Sequence, residues 1–265
     1  MTSTLRSMLT LACLLAAFCT AAYAADQTGT TNDTPTPSLT ATQIVERLMQ
    51  ENKKRAELLH HYEGCRHYSV DYHGFPSGKS ADMTVATKFD APASKEFQVV
   101  SEHGSQVLIN HVFKKLLETE KEAAAKETQQ QTALTPDNYE FELLGEETVS
   151  GRPQFVLKVT PRTKNKFLYR GKVWIDAADF AVSRISAEPA KNPSFWISHT
   201  QIEHQYTKVC QFWLPKENQS VTKVRLGGTA KLVIQYSDYQ VQGAEDLAKF
   251  SSCEAPPVAT ACLKQ

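Results

Sequence analysis

The pattern of apolar and polar residues first becomes helical near residue 40. Thr40 and Gln43 have the spacing of a capping box, in which the two side chains bond to each other's backbone N–H groups at a helix start. Apolar residues then recur every three or four positions, which is the period of one helix face: Ile44, Val45, Leu48, Met49, Ala56 and Leu59. The pattern predicts a first helix over residues 41–62.

From Cys65 onward the period changes to two. Tyr68, Val70 and Tyr72 alternate with polar residues, and two more alternating segments follow after turns. This pattern predicts a three-stranded antiparallel meander. Ser105 then occupies the N-cap position of a predicted second helix. Its weakly apolar continuation, residues 118–136, is expected to be an exposed and mobile extension.

After Pro136 the sequence shows only strand signals. They fall at residues 139–143, 155–159, 167–175, 181–185, 195–206, 212–214, 221–226 and 230–236. Strands that do not alternate with helices disfavour a parallel βαβ architecture. The predicted fold class is therefore α+β, with about ten strands in a large curved antiparallel sheet and helices on one face.

Two aspartates in the stretch YRGKVWIDAADFAVSRISAE, Asp176 and Asp179, could form a catalytic carboxylate pair or a turn. They flank two small alanines between strand-like runs, and Asp is common in turns because its side chain bonds to nearby backbone amides. The turn is the preferred interpretation.

Three blocks together are similar to the carboxy-terminal half of LolA-type proteins. They are YRGKVWIDAADFAVSRISAE, SFWISHTQIEHQYTKVCQFWLP and TAKLVIQYSDYQV. These proteins are outer-membrane lipoprotein-sorting carriers and their relatives, and the resemblance extends over residues 40–241. It implies a LolA-like curved antiparallel half-barrel whose apolar concave face is covered by helices and holds acyl chains.

In that family an arginine on the sheet holds the lid helices shut. No arginine of this chain matches it residue by residue, so the role is not assigned to Arg66. The open sheet itself agrees with the resemblance, because its apolar face must be covered and the two predicted helices are the available cover.

Strand parity selects the side chains expected to line such a cavity. They are Val70, Tyr72, Met83, Val85, Phe97, Phe141, Leu157, Tyr169, Val173, Ile197, Leu232 and Ile234.

The amino terminus has the composition of a secretory signal. A single positive charge precedes a short apolar run that ends in Ala22-Tyr23-Ala24, an A-x-A cleavage site. We expect a signal peptide at residues 1–24, cleaved after Ala24, and a flexible tether at 25–39. A LolA-like lipid-binding domain at 40–241 and a carboxy-terminal tail at 242–265 would follow, with the exported protein in the periplasm.

Four cysteines follow the predicted signal: Cys65, Cys210, Cys253 and Cys262. In an oxidising compartment they allow three connectivities. The short spacing makes Cys253–Cys262 the simplest pair, which leaves Cys65 with Cys210. Free buried thiols are the alternative.

The sequence gives little support for nucleic-acid binding, catalysis or a metal site. The formal net charge of +0 excludes a nucleic-acid footprint. Hydrolase, metalloprotease and phosphate-loop signatures do not occur, and the eight histidines are poorly spaced for one metal ion. We expect no catalytic residue, metal or cofactor.

The predicted function is that of a periplasmic carrier, not an enzyme. It would bind acyl chains of lipoproteins or other lipids in a hydrophobic cavity, for outer-membrane lipoprotein sorting. The alternative is an envelope sensor or interaction module that uses the same fold to bind a protein. Expected partners are lipid or lipoprotein acyl chains and an inner- or outer-membrane protein, with no nucleic acid.

Overall fold

The computed structural model describes residues 39–75, 77–92, 94–123, 126–192, 197–225, 227–243 and 262. The expected signal peptide at 1–24 and nearly all of the expected tether lie outside these residues.

Helix α1, Ala41–Leu58, begins with the predicted capping box. The Thr40 hydroxyl accepts from the Gln43 amide at 3.3 Å, and the Gln43 side chain accepts from the Thr40 amide at 2.9 Å. The predicted end at residue 62 is wrong, because strand β1 begins at Leu59. Tyr62 pairs with Phe89 and Val241 and stacks on the Phe89 ring with centroids 5.1 Å apart. Sheet pairing and ring burial thus outweigh the helical period there.

Ten strands form one antiparallel sheet in the order β3-β2-β1-β10-β9-β8-β7-β6-β5-β4. Their bounds are β1 Leu59–Gly74, β2 Lys79–Asp90, β3 Ser94–Gly104, β4 Tyr139–Val149, β5 Arg152–Pro161, β6 Tyr169–Asp176, β7 Ala181–Pro189, β8 Ile197–Val209, β9 Phe212–Val224 and β10 Gly228–Gly243. The sheet is open, with β3 and β4 at its edges, as predicted for a half-barrel. The predicted α+β class is confirmed, although β9 is one continuous strand where the pattern indicated two.

A second helical region connects β3 to β4. It comprises α2 at Gln106–Leu108, a π-helical turn at Ile109–Phe113, α3 at Lys114–Ala123 and α4 at Lys126–Thr132. We refer to it as the α2–α4 segment. Ser105 makes no side-chain cap bond. The predicted extension after residue 118 is helical, and Glu118, Lys121 and Glu122 are exposed as expected, but Glu120 is bonded to side chains of two strands, so α3 is tied to the sheet.

Two separate apolar cores lie under these helices. In the first core, α1 packs on strands β4 to β7; its buried residues are Ile44, Val45, Leu48, Tyr139, Phe155, Leu157, Val159, Leu168, Val173, Ile175, Ile185, Ala187 and Ala190. In the second core, the α2–α4 segment packs on β1 and β2; its buried residues are Tyr68, Val70, Ala81, Met83, Val85, Ile109 and Phe113. Each helical region therefore covers its own half of the sheet.

Asp176 and Asp179 form a turn, as predicted. Strand β6 ends at Asp176 and β7 begins at Ala181. The Asp176 carboxylate accepts from the backbone amides of Ala178 and Asp179 at 3.1 and 2.9 Å and from Arg152 at 2.6 and 2.8 Å.

The predicted cysteine pairing is wrong, because Cys65 is bonded to Cys262 with Cα atoms 5.7 Å apart. Strands β10 and β9 lie between β1 and β8. Cys65 and Cys210 are therefore separated by roughly 10–14 Å of sheet, beyond the reach of a disulfide. Cys210 is also disulfide-bonded, and Cys253 lies outside the described residues. The bond at Cys262 ties the predicted tail back to the sheet.

Candidate ligand-binding site

The middle of the helix-covered face, around strand β9, carries polar side chains, whereas its two ends carry the apolar cores. Directly opposed residues of antiparallel strands share a face. Residues 218, 220 and 222 of β9 oppose apolar residues 234, 232 and 230 of β10. On the other side they oppose residues 204, 202 and 200 of β8. Leu232 and Ile234 pack against the second core, and Ile202 packs against the first, so β9 lies between the two cores.

That middle region is polar. We call it the polar strip, and its members are Thr200, His204, Asn218, Ser220 and Thr222. None of them belongs to either core. Polar side chains between two apolar cores mark a place where water or a ligand's polar group can be accommodated.

A cavity of about 320 Å³ lies beside this region, between the second half of α1 and strands β6 to β9. Its walls are mainly apolar and aromatic: Asn52, Arg55, Ala56, Leu59, Leu134, Tyr169, Ala181, Val182, Ile185, Tyr206, Phe212, Trp213 and Leu214. The volume is at the lower end of the roughly 300–1,000 Å³ of small-molecule sites. Arg55 holds α1 to the sheet beside it, since its guanidinium donates to the Asp179 and Phe180 carbonyls, each at 2.8 Å.

Ionisable groups around this region are held neutral. Burial raises the pKa of Tyr206 to about 12. Burial also lowers the pKa of His204 to about 4, although the negative charge of Glu203 acts in the opposite direction and raises it. Burial also raises the pKa of Tyr236. All three side chains nevertheless keep some accessible surface. Side chains that protein surrounds without fully covering them are typical of cavity walls.

Arg66 connects the sheet to the α2–α4 segment. Its Nη1 donates to Glu120 Oε2 at 2.6 Å and its Nη2 donates to Oε1 at 3.1 Å. The guanidinium lies between the rings of Phe97 and Tyr236, 5.0 and 5.1 Å from their centroids. Lys95 of β3 donates to the same carboxylate at 3.0 Å. One carboxylate on α3 is thus bound to two strands.

The neighbouring acidic residue of α3 reaches the other half of the sheet. Glu122 accepts from Lys166, in the β5–β6 connection, at 2.8 and 2.9 Å. Both side chains are largely exposed, so this pair contributes little to stability. Its position shows that α3 extends from the second core towards the first.

Ten of the twelve predicted lining residues belong to or pack against the two cores. Val70, Met83, Val85, Phe97, Leu232 and Ile234 are in the second, and Phe141, Leu157, Tyr169 and Val173 are in the first. Tyr72 is instead at the β1–β2 hairpin end, bonded to the carbonyls of Phe75 and Gly227, and Ile197 opens β8 outside both cores. Only Tyr169 of the twelve lines the 320 Å³ cavity. Whether the set binds a ligand stays a prediction.

Sequence reasoning missed Arg66 and the polar strip. Arg66 is in phase with Tyr68 and Val70, so an arginine at an inward-facing strand position was the available signal. No such signal marks the polar strip, because polar residues on both faces of β9 look like a loop.

The described part of the chain contains no group of three or more His, Cys, Asp or Glu residues placed to hold a metal ion. No helix in it has both the length and the apolar content needed to cross a membrane.

Residues 132–239, less than half of the chain, match the family described as "Family of unknown function (DUF5686)". No curated protein matches the chain.

The similar solved structures include three of low sequence identity. A DUF1329 family protein from Desulfovibrio piger is 12% identical with a TM-score of 0.41, over 81% of this chain and 98% of that chain. A LolA superfamily protein from Nitrosomonas europaea is 11% identical with a TM-score of 0.33, over 81% and 99%. A domain from Vibrio parahaemolyticus, named for outer membrane lipoprotein sorting, is 13% identical with a TM-score of 0.35, over 76% and 94%.

One of these structures is thus a LolA superfamily protein, and this is the family that the sequence resembles. At these TM-scores the likeness does not bear on function. The fold assignment rests on the chain's own strand order, and function has to be inferred from the chain's own contacts.

Proposed function

We propose that this protein is a periplasmic carrier that holds acyl chains of a lipoprotein or another lipid between its sheet and its helices. The observation that supports it most is the division of the helix-covered face into two cores, with a cavity and a polar strip beside and between them. The cavity, whose walls are mainly apolar and aromatic, is a part of this face that the helices do not fill. In this proposal the α2–α4 segment is a lid, and the Arg66–Glu120 pair is its latch.

The energies are compatible with a ligand that opens the lid. Opening the lid transfers both partners of the ion pair to water, which costs less than the value of about 3–5 kcal/mol for deleting one partner and leaving the other buried. Opening also exposes the buried side chains of Ile109 and Phe113, at about 1.5–3 kcal/mol each. Each methylene that leaves water gains about 0.8 kcal/mol, so one long acyl chain supplies on the order of 10 kcal/mol before ordering costs. Acyl chains can therefore replace the lid's own side chains, whereas a small polar molecule cannot.

Binding of a fluorescent acyl probe to the exported protein, purified without detergent, tests the proposal. Leu134 lines the cavity and packs against the first core, so Leu134→Trp should fill the cavity and reduce probe affinity about tenfold or more. Leu144→Trp is the matched control, because Leu144 is an exposed β4 residue outside the cavity. It should bind the probe as the wild type does.

Native mass spectrometry of the same preparation provides a second measurement. A co-purifying lipid supports the carrier. A protein that never binds acyl probe, and is isolated instead with one stoichiometric protein partner, would overturn it in favour of an interaction module.

A further inference from the structure

The polar strip is not satisfied by the protein's own hydrogen bonds. Thr200 and Thr222 bond to each other through their hydroxyls at 3.1 Å. Asn218 Nδ2 donates to the Tyr236 hydroxyl at 2.9 Å, but Asn218 Oδ1 is buried and has no hydrogen-bond partner among the described residues. Buried polar groups are nearly always paired, so this amide is an exception that needs an explanation.

His204 directly opposes Asn218 across the β8–β9 pair. A neutral imidazole has one N–H donor and one acceptor nitrogen. Within the described chain neither makes a hydrogen bond. The strip therefore presents an amide, an imidazole and the Ser220 hydroxyl side by side, offering both donors and acceptors.

The strip has no free charge to match an ion. Arg66, which contacts the Tyr236 ring on the same face, is already neutralised by Glu120. An uncharged polar group suits such a site, because burying an unmatched ion in it is costly. The apolar residues on both flanks, Ile202 on one side and Leu232 and Ile234 on the other, suit hydrocarbon.

We infer that the polar strip recognises an uncharged hydrogen-bonding group of the acyl ligand, of the ester and hydroxyl type found in glycerolipids, while the flanking cores take its hydrocarbon. This inference rests on the proposed acyl-carrier function. It adds that the cargo is chosen by its neutral polar group as well as by its chain.

The strip also lies next to the latch. The contacts run in sequence from Asn218 to Tyr236 by a hydrogen bond, from Tyr236 to Arg66 by ring contact, and from Arg66 to Glu120 by the ion pair. Asn218 Oδ1 is covered in this structure. A ligand group that takes the Asn218 amide competes with its bond to Tyr236, on which the Arg66 guanidinium lies.

The test is competition against a fluorescent acyl probe by three compounds of equal chain length. They are a monoacylglycerol, the corresponding fatty acid at pH 8, and the n-alkane. The monoacylglycerol should compete roughly tenfold or more better than the alkane, because the alkane leaves the amide unpaired. It should also compete better than the charged fatty acid.

The variant Asn218→Leu keeps the size of the side chain and removes its hydrogen bonds, so it should abolish the preference for monoacylglycerol. Gln219→Leu is the matched control, since Gln219 is the next residue of β9 and faces the other side of the sheet. Equal competition by alkane and monoacylglycerol in the wild type would overturn the inference and leave the carrier intact. No competition by any of the three would overturn both. If Asn218→Leu does not fold, the ranking of ligands on the wild type decides alone.

Discussion

Arg66 of β1 and Glu120 of α3 form a two-bond ion pair that is the main polar link between the sheet and the α2–α4 segment. The two side chains are unequally buried, with 5% of Arg66 and 30% of Glu120 exposed. Burial alone would raise the pKa of Glu120, but the hydrogen bond and charge of Arg66, assisted by Lys95, outweigh it and hold the pKa below its usual range. The closed position of α3 is therefore coupled to the charge of one carboxylate.

Removing the carboxylate should cost more than removing the guanidinium. Glu120→Gln leaves Arg66 buried without a counter-charge and should lower the free energy of unfolding by about 3 kcal/mol, at the low end of the range for broken buried pairs. Arg66→Met leaves Glu120 partly exposed and still bonded to Lys95, so its cost should be smaller. Urea unfolding measures the stability loss of each variant, and both variants should show faster amide hydrogen exchange over α3 than the wild type.

Glu122→Gln is the control for this prediction, because the Glu122–Lys166 pair is exposed and should contribute less than about 1 kcal/mol. Equal and small losses for the changes at 120 and 122 would show that the Arg66–Glu120 pair does not hold α3. A double-mutant cycle between Arg66→Met and Glu120→Leu should give a coupling energy of about 1–3 kcal/mol.

Acidification should open the same contact. Because the folded-state pKa of Glu120 lies below its ordinary value of 4.5, the pair's contribution is fully present above about pH 4.5 and is lost as the pH falls through the folded pKa. The difference in unfolding free energy between wild type and Glu120→Gln should be constant from pH 7 to 5 and should shrink below that. A difference that does not change down to pH 3 would contradict the assignment.

Period-two patterning predicted which strand residues share a face, because the side-chain direction follows parity alone. Val70 of β1 and Met83 of β2 are diagonal neighbours and lie in the second core. Leu157 of β5 directly opposes Val173 of β6, and both lie in the first core. Parity does not reveal how far the helices cover that face. Most of the predicted lining residues are consequently filled core in the closed state.

The features that shape the candidate site depend on contacts distant in sequence. Glu120 is 54 residues from Arg66, so only the packing of α3 brings the two together. The three polar strip residues of β9 acquire a common environment only through register with β8 and β10. The disulfide was mispredicted for the same reason, since strand order decides which cysteines are near each other.

The disulfide between Cys65 and Cys262 should stabilise the fold strongly. The bond closes a loop of 197 residues, and both cysteines are buried on the face opposite Arg66, with Ala86 and Val100 packed against them. Loss of the cross-link restores the chain entropy of the unfolded state, so Cys262→Ser should lower the free energy of unfolding by about 2–5 kcal/mol.

Urea unfolding with and without a thiol reductant checks this. Under reducing conditions no cross-link remains in either protein, so wild type and Cys262→Ser should unfold at nearly the same urea concentration. If the variant were as stable as oxidised wild type, Cys65 would not be cross-linked to Cys262 in the native protein.

The Asp176 carboxylate should stabilise the β6–β7 turn and should not act as a catalytic group. It is fully buried and accepts four hydrogen bonds, two from Arg152 and two from the turn's own backbone. Burial alone would raise its pKa, but the Arg152 bond and the backbone amides outweigh it and keep the pKa low. Asp176→Asn replaces an acceptor by an amide N–H group that faces these donors, so it should lower the free energy of unfolding by about 3 kcal/mol.

Asp179→Asn is the matched comparison within the same turn. Asp179 keeps 21% of its side chain exposed and accepts from Arg152, Lys208 and the Trp213 indole, so its replacement should cost about 1 kcal/mol, less than that of the fully buried Asp176. Because the bonds at Asp176 hold the β6–β7 hairpin beside the cavity, Asp176→Asn should also weaken binding of the acyl probe. Equal stability losses for the two variants would mean that the hairpin does not depend on the buried carboxylate.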